Sequence, residues 1–485
     1  MMINFKKVAL AATCTAMLGG MSTVVTTAHA ANWLMLQGTE PAGAAGRAKV
    51  WGFLQPTYLS TSGTKLPTTG AGPADIFAGQ NSQFNTHQPD LSSESTFQIM
   101  RARLGVRGVA LPLDSNVNYF LLAELGNNGL TQPGGGSGSV KLTDATVTLN
   151  HIKGMRVRIG QMKVPMAEEL YQGIMTWNYI NPSNIGNQQL IERPFWTDGT
   201  TECFSGSGTT AASNANYLRY CNGDAQTQFR SSAVAVRDTG IQLFDTFKDG
   251  SWEHSYALLY GNGGANKDNR DGEFDTTVYW SSEKVFGGKG PWRDHMKFLA
   301  WNTSGKRTLY SSAVLDTDNT TLEDAEKVYD RNLSGIGFIY QKDKYRFWAE
   351  YIKADGMIFT GSTGGAVPGA VSSNGTGQVS QFTMSPTGES DGGYVDFGYK
   401  VTKKLELDIR YDWYNRNTNK AAADGVRDYV TTTLGMQYWF NRKSKFILNY
   451  ELREFENPNK AGTHPSNKVA DTIDDKLSAQ VFLLF

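Results

Sequence analysis

Histidine and cysteine are scarce in this chain, six and three in 485 residues, and the scarcity excludes whole classes of function. His87, His254 and His464 stand in no motif with a serine or aspartate partner, so a hydrolase built on such a pair is not supported. No Cys-x-x-Cys-His run exists to attach haem. Two thiols beyond Cys14, with no histidine near them, make no zinc site. The reading is of a protein that is not an enzyme and carries neither cofactor nor metal. An excess of either charge is also missing: 46 basic residues face 46 acidic ones, so nucleic acid is not the partner, and any electrostatic function must come from local segregation of charge. After Val25 no stretch approaches the roughly 20 apolar residues of a membrane helix.

What is present points outward from the cell. Lys6 and Lys7 precede an apolar stretch from Val8 to Val25, and Ala28-His29-Ala30 offers small residues for cleavage. This pattern predicts a secretory signal peptide over residues 1–30, followed by a short segment, 31–47, too short for the plug domain of an energy-coupled receptor. In an oxidising compartment Cys203 and Cys221 most simply bond to each other, closing a loop worth about 3 kcal/mol.

Period-two alternation predicts sixteen strands across 48–485, at about 48–59, 97–110, 117–127, 139–150, 156–165, 233–247, 252–261, 276–286, 295–303, 332–341, 345–354, 392–401, 405–414, 429–440, 445–455 and 475–485. In one of them Leu405, Leu407, Ile409, Tyr411 and Trp413 alternate with Glu406, Asp408, Arg410 and Asp412. A soluble sandwich could alternate in the same way, and the connections decide between them. Short links such as His151–Met155, Lys248–Ser251 and Asn441–Ser444 take turns with long polar ones. That is the rhythm of periplasmic turns and extracellular loops in a transmembrane antiparallel β-barrel of the outer membrane. In hydrocarbon only a closed sheet leaves no unpaired edge, and about sixteen strands enclose a water channel. The fold class is therefore all-β, and the architecture already argues for a pore.

Parity then sorts the wall. On the second strand Met100, Ala102, Leu104 and Val106 share the lipid face, while Arg101, Arg103 and Arg107 share the lumen face. On the fifth, Arg156 and Arg158 point inward. Lys163, near the strand end, would face out by parity alone. Rings and ladders of basic residues are how anion pores select, so these six are the pore-lining, anion-binding candidates. The other reading is an ordinary wall network, because Glu124 and Asp144 also point inward and could pair with the arginines. The far wall, with Asp396 and Glu406 through Asp412, is more acidic. The link 166–232 is the longest, and an ordered loop of that length is usually functional. It is expected to fold inward as a constriction. Its aromatics Trp177, Tyr179, Phe195 and Trp196 either line a sugar-type passage or, more simply, pack the loop against the wall.

These residues resemble a family. Lys49-Val-Trp-Gly-Phe-Leu-Gln-Pro-Thr-Tyr58, Arg101-Ala-Arg-Leu-Gly-Val-Arg-Gly108, Arg158-Ile-Gly-Gln-Met-Lys-Val-Pro-Met166, Ile191-Glu-Arg193, Arg237-Asp-Thr-Gly-Ile-Gln242 and the terminal Phe485 are similar to the phosphate-selective porins of O and P type. Met100-Arg101 stands where that family often has paired arginines. The resemblance implies a homotrimeric porin, integral to the outer membrane of a Gram-negative bacterium, in which Arg101, Arg103, Arg107, Arg156, Arg158 and Lys163 conduct small anions such as phosphate. A weakly selective general or sugar-type porin is the alternative. Phe485 resembles the signal that the barrel-assembly machinery reads during insertion into outer-membrane lipid.

Overall fold

The computed structural model describes residues 33–37, 48–62, 95–110, 114–126, 140–191, 220–222, 236–263, 269, 272–288, 290, 292–311, 314–315, 322–323, 326–361, 371–373, 378–380, 382–419 and 426–485. The signal peptide and the Cys203–Cys221 pairing lie outside the described residues.

Sixteen strands form one closed cylinder: β1 Lys49–Thr61, β2 Ser95–Ala110, β3 Asp114–Glu124, β4 Lys141–Ile152, β5 Met155–Lys163, β6 Arg237–Asp249, β7 Trp252–Gly261, β8 Asp275–Gly287, β9 Asp294–Ser311, β10 Glu326–Lys342, β11 Tyr345–Asp355, β12 Glu389–Lys400, β13 Leu405–Arg416, β14 Arg427–Asn441, β15 Ser444–Glu456 and β16 Lys476–Leu484. Each pairs antiparallel with its neighbour in sequence, and β16 returns to β1 through pairs such as Phe53 with Leu484 and Tyr58 with Ala479. The predicted barrel is thus the observed one. Closure removes the edges that hydrocarbon could not satisfy.

At the seam the chain terminus completes the ladder: Phe485 N–H donates to the Gly52 carbonyl at 2.9 Å, and Gly52 N–H to the Phe485 carbonyl at 3.1 Å. A Cβ on Gly52 would lie 2.5 Å from both the Phe485 ring and the Arg103 carbonyl. Only glycine admits that approach.

The outer face is an apolar belt. Leu104, Val147, Ile159, Ile241, Phe298, Ile336, Leu407, Ile409, Leu434 and Val481 are all exposed, each on a strand whose alternate residues are buried inward. Aromatic groups such as Tyr345, Phe397 and Tyr399 cluster near the turns, where amphipathic rings suit the membrane boundary. The β9–β10 hairpin runs further than alternation indicated, with pairing continuing from Thr303–Leu333 to Tyr310–Glu326. That extension is polar on both faces (Ser304, Lys306, Arg307, Asp330, Arg331). A strand above the bilayer has no apolar face to reveal it.

One predicted orientation is corrected. Met100 does not face lipid: it is fully buried, against Leu59, Ile180 and Ile447. The cause is Pro56 in β1. Without an N–H it cannot complete the ladder, and the register shifts between Gln55, opposite Arg101, and Pro56, opposite Ile99. Met100 is the extra residue of the resulting bulge and turns inward with Arg101.

Candidate functional site

Where β5 ends, the chain leaves the wall and enters the cylinder. Ala167, at the start of the loop, and Val236, just before β6, both take positive φ (50° and 47°). That conformation is costly for a β-branched residue. Within the lumen the loop forms a helical turn at Glu168–Tyr171, a tighter one at Ile174–Thr176 and a wide one at Gly186–Leu190.

Polar contacts tie the loop to the opposite wall. Tyr179 donates to Asp396 (2.7 Å), the Ile180 N–H to Asn449 (2.8 Å), the Asn184 N–H to Asp412 (2.7 Å) and Tyr414 to Gln189 (3.0 Å). Lys297 pairs with Glu168 at 2.6 Å and Arg410 with Glu169 at 2.8 Å. Burial pushes the Glu169 carboxyl above its usual range, while Arg410 and the Ser183 hydroxyl and N–H draw it back. Trp177 and Tyr179 therefore pack the loop rather than lining an open aromatic passage: the Arg101 guanidinium lies 5.0 Å from the Trp177 ring and that of Arg410 4.5 Å from the Tyr179 ring. Phe195 and Trp196 lie outside the described residues.

A second element shares the lumen. Trp33–Leu36 form a helical turn, closed by Gln37 N–H donating to the Trp33 carbonyl at 2.9 Å. It sits against the basic strands. Sequence reasoning, which set residues 31–47 aside as too short for a plug domain, gave no signal for it.

The six basic candidates fall into three kinds. Arg103 and Arg156 are ion-paired, with Glu124 at 2.7 Å and with Asp245 respectively. Arg107 stays partly exposed, its guanidinium 5.9 Å from the Phe120 ring. Among the described residues Arg101, Arg158 and Lys163 donate to neutral acceptors alone. Arg101 donates to Gln55 at 3.1 Å. Arg158 donates to Gln242 (2.8 Å) and to the carbonyls of Leu34 (2.9 Å) and Gln37. Lys163 donates to the carbonyls of Leu170 (2.8 Å), Tyr171 (3.3 Å) and Gln172 (2.6 Å).

This geometry explains one exception to parity and corrects one expectation. Lys163 faces inward, as its place among the candidates requires and against its parity, where the loop's carbonyls capture its ammonium. Nor do Arg101, Arg103, Arg158 and Lys163 look onto open water: none is more than 5% exposed, since the loop and the N-terminal turn fold over them. Arg107 and Arg156 are the two left partly open.

The basic wall is also wider than the motif suggested. Lys445 on β15 donates to the Trp177 carbonyl (2.6 Å) and Gln437 (2.7 Å). Lys476 at the start of β16 is fully buried beside Asn181. Arg237 on β6 pairs with Asp144 at 3.0 Å. Parity alone would have found Lys445, which alternates with the lipid-facing Phe446 and Leu448. Across the lumen Arg346 is surrounded by Asp396, Glu406 and Asp408. Charge is thus segregated: basic from β15 across the seam to β6, carboxylate-rich from β11 to β13. Between the N-terminal turn, the loop and β8–β9 lies a small recess lined by Trp33, Leu36, Glu168, Met175, Glu283 and Lys297 among others. Among the described residues no group of side chains is arranged to hold a metal ion.

A closed sixteen-strand cylinder with an apolar exterior, a charged interior and a loop folded across it is a channel of the porin type. Residues 77–181 match the family model described as phosphate-selective porin O and P; the family that the motifs resemble is the one that matches, over β2 to β5 and the start of the inward loop. No curated protein matches the chain. Solved structures similar to it include OmpT of Vibrio cholerae, folded in vitro (10% identity, 90% of this chain and 97% of that one, TM-score 0.47). Others are the outer-membrane channel DcaP of Acinetobacter baumannii (11%, 93% and 100%, 0.46) and an anion-selective porin from Comamonas acidovorans (11%, 90% and 99%, 0.45). Likeness at that level carries no weight beyond the geometry already described. The family and the barrel together point to a channel of the Gram-negative outer membrane.

Proposed function

We propose that this porin passes small hydrophilic solutes by diffusion and favours anions such as phosphate, working as a homotrimer after cleavage of its leader. One observation carries the preference: among the described residues, Arg101, Arg158 and Lys163 face the lumen side of β2 and β5 and hydrogen-bond no carboxylate. Glu124 and Asp144 offset their charge only from beyond hydrogen-bond contact, so it adds to the field along the passage. Arg107 and Arg156, partly open at the end of the ladder near the short turns, can meet a solute directly, and a guanidinium can hold two oxygens of a phosphate at once.

The test is the reversal potential of the purified protein in a planar bilayer under a salt gradient. An anion-selective potential is expected. A second reading, a weakly selective pore with the arginines acting as wall braces, draws support from the Arg103–Glu124 and Arg237–Asp144 pairs. A potential close to zero would favour it, and a cation-selective one would refute the proposal.

A further inference from the structure

The turn Trp33–Gln37 is held too specifically to be a stray end. Leu34 and Gln37 are fully buried. Among the described residues Arg158 hydrogen-bonds no carboxylate, and it donates to two carbonyls of this one turn, those of Leu34 and Gln37. Gln37 in return donates to Asp144 at 2.6 Å, and Arg156 reaches the Met35 sulfur at 3.8 Å. The Trp33 ring meets Phe120 edge-on at 6.4 Å and has the Lys163 ammonium 5.2 Å from its centre. On the loop side it presses on Gly173, where a Cβ would lie 2.9 Å from the ring. The turn thus bridges the basic wall and the inward loop, and Trp33 and Leu36 bound the recess beside them.

We propose that Trp33–Gln37 is an intralumenal plug seated on the basic wall. It offers Arg158 two carbonyl oxygens, the chemistry that a small oxyanion would offer, so turn and anion compete for the same guanidinium. While seated, it narrows the passage and covers part of the positive charge. When displaced, it widens the passage and bares Arg158 and Lys163. This rests on the channel reading for its readout but not on anion preference.

The experiment is single-channel conductance in potassium chloride of the full-length protein, of a variant lacking residues 33–37, and of Gly173→Val, which wedges the Trp33 ring away from the loop side. Conductance in both variants should rise by roughly twofold, as the obstructed section sets the resistance of a water-filled pore. Adding inorganic phosphate to the wild type should shift its conductance toward the variants' level, and do so less in the deletion. A folded deletion variant, shown by its heat-modifiable gel band, with unchanged conductance would overturn the proposal. If the deletion does not insert, unchanged conductance in Gly173→Val does so equally. Should conductance rise while the reversal potential shows no anion preference, the plug stands and the selectivity reading falls.

Discussion

Neutralising Arg101, Arg158 and Lys163 together, each as Gln, is the sharpest trial of the charge argument. Glutamine keeps an amide donor for Gln55, the Leu34 carbonyl and the Leu170 carbonyl while removing the charge. A unit charge about 8 Å from an ion in water contributes about 0.5 kcal/mol. At 0.1 M salt, where the Debye length is about 10 Å, screening leaves roughly 0.2 kcal/mol of that. The sign reverses for a cation, so each charge alters the anion-to-cation ratio about twofold, and three together about tenfold. At 1 M salt the Debye length falls to about 3 Å and the effect should nearly vanish. The assay is therefore the reversal potential measured across that range of salt, on protein whose folded gel band is intact. The permeability ratio, not the conductance, is the quantity to read, since Arg158 and Lys163 also hold the N-terminal turn. A triple variant with the wild-type ratio at 0.1 M would refute the reasoning. So would a change that persists undiminished at 1 M, because it would then be steric.

Three further substitutions test the barrel and its inward loop. Ile409 and Arg410 are neighbours in the chain on opposite faces of β13. Ile409→Arg should cost about 2–4 kcal/mol in a bilayer refolding titration if it lies near the midplane, whereas Arg410→Met should leave insertion intact and loosen the loop by removing its bond to Glu169, read as accelerated proteolysis between residues 166 and 191. Gly52→Val should lower the temperature at which the folded gel band converts to the unfolded one, because its side chain would collide with the Phe485 ring and the Arg103 carbonyl; an unchanged transition would show that the terminal residue does not close the seam.

The strands were legible because hydrocarbon imposes a rule that every membrane-crossing residue obeys: Leu407, Ile409 and Tyr411 must face out, so Asp408 and Arg410 face in. That rule fails where its cause is absent. Above the bilayer the β9–β10 extension carries polar residues on both faces and left no trace. At Pro56 a missing N–H, not hydrophobicity, sets the register, and Met100 turned inward against its parity. Lys163 departs from parity for a related reason, since at the strand end three loop carbonyls outweigh the alternation.

The larger omission concerns who occupies the lumen. Parity can say that Arg101 and Arg158 face inward, but not whether water or protein meets them. That depends on contacts more than 100 residues apart in sequence, such as Arg158 with Leu34 and Tyr179 with Asp396. No local pattern announces either. The physical consequence is that this lumen is not a bare basic tube. Cations buried against neutral oxygens lose their contact with water but not their field, so a wall of this kind can bias ions at a distance while offering, of the six candidates, Arg107 and Arg156 for direct contact. Selectivity by field decays with salt, whereas selectivity by contact does not, and the salt dependence of the triple variant separates the two.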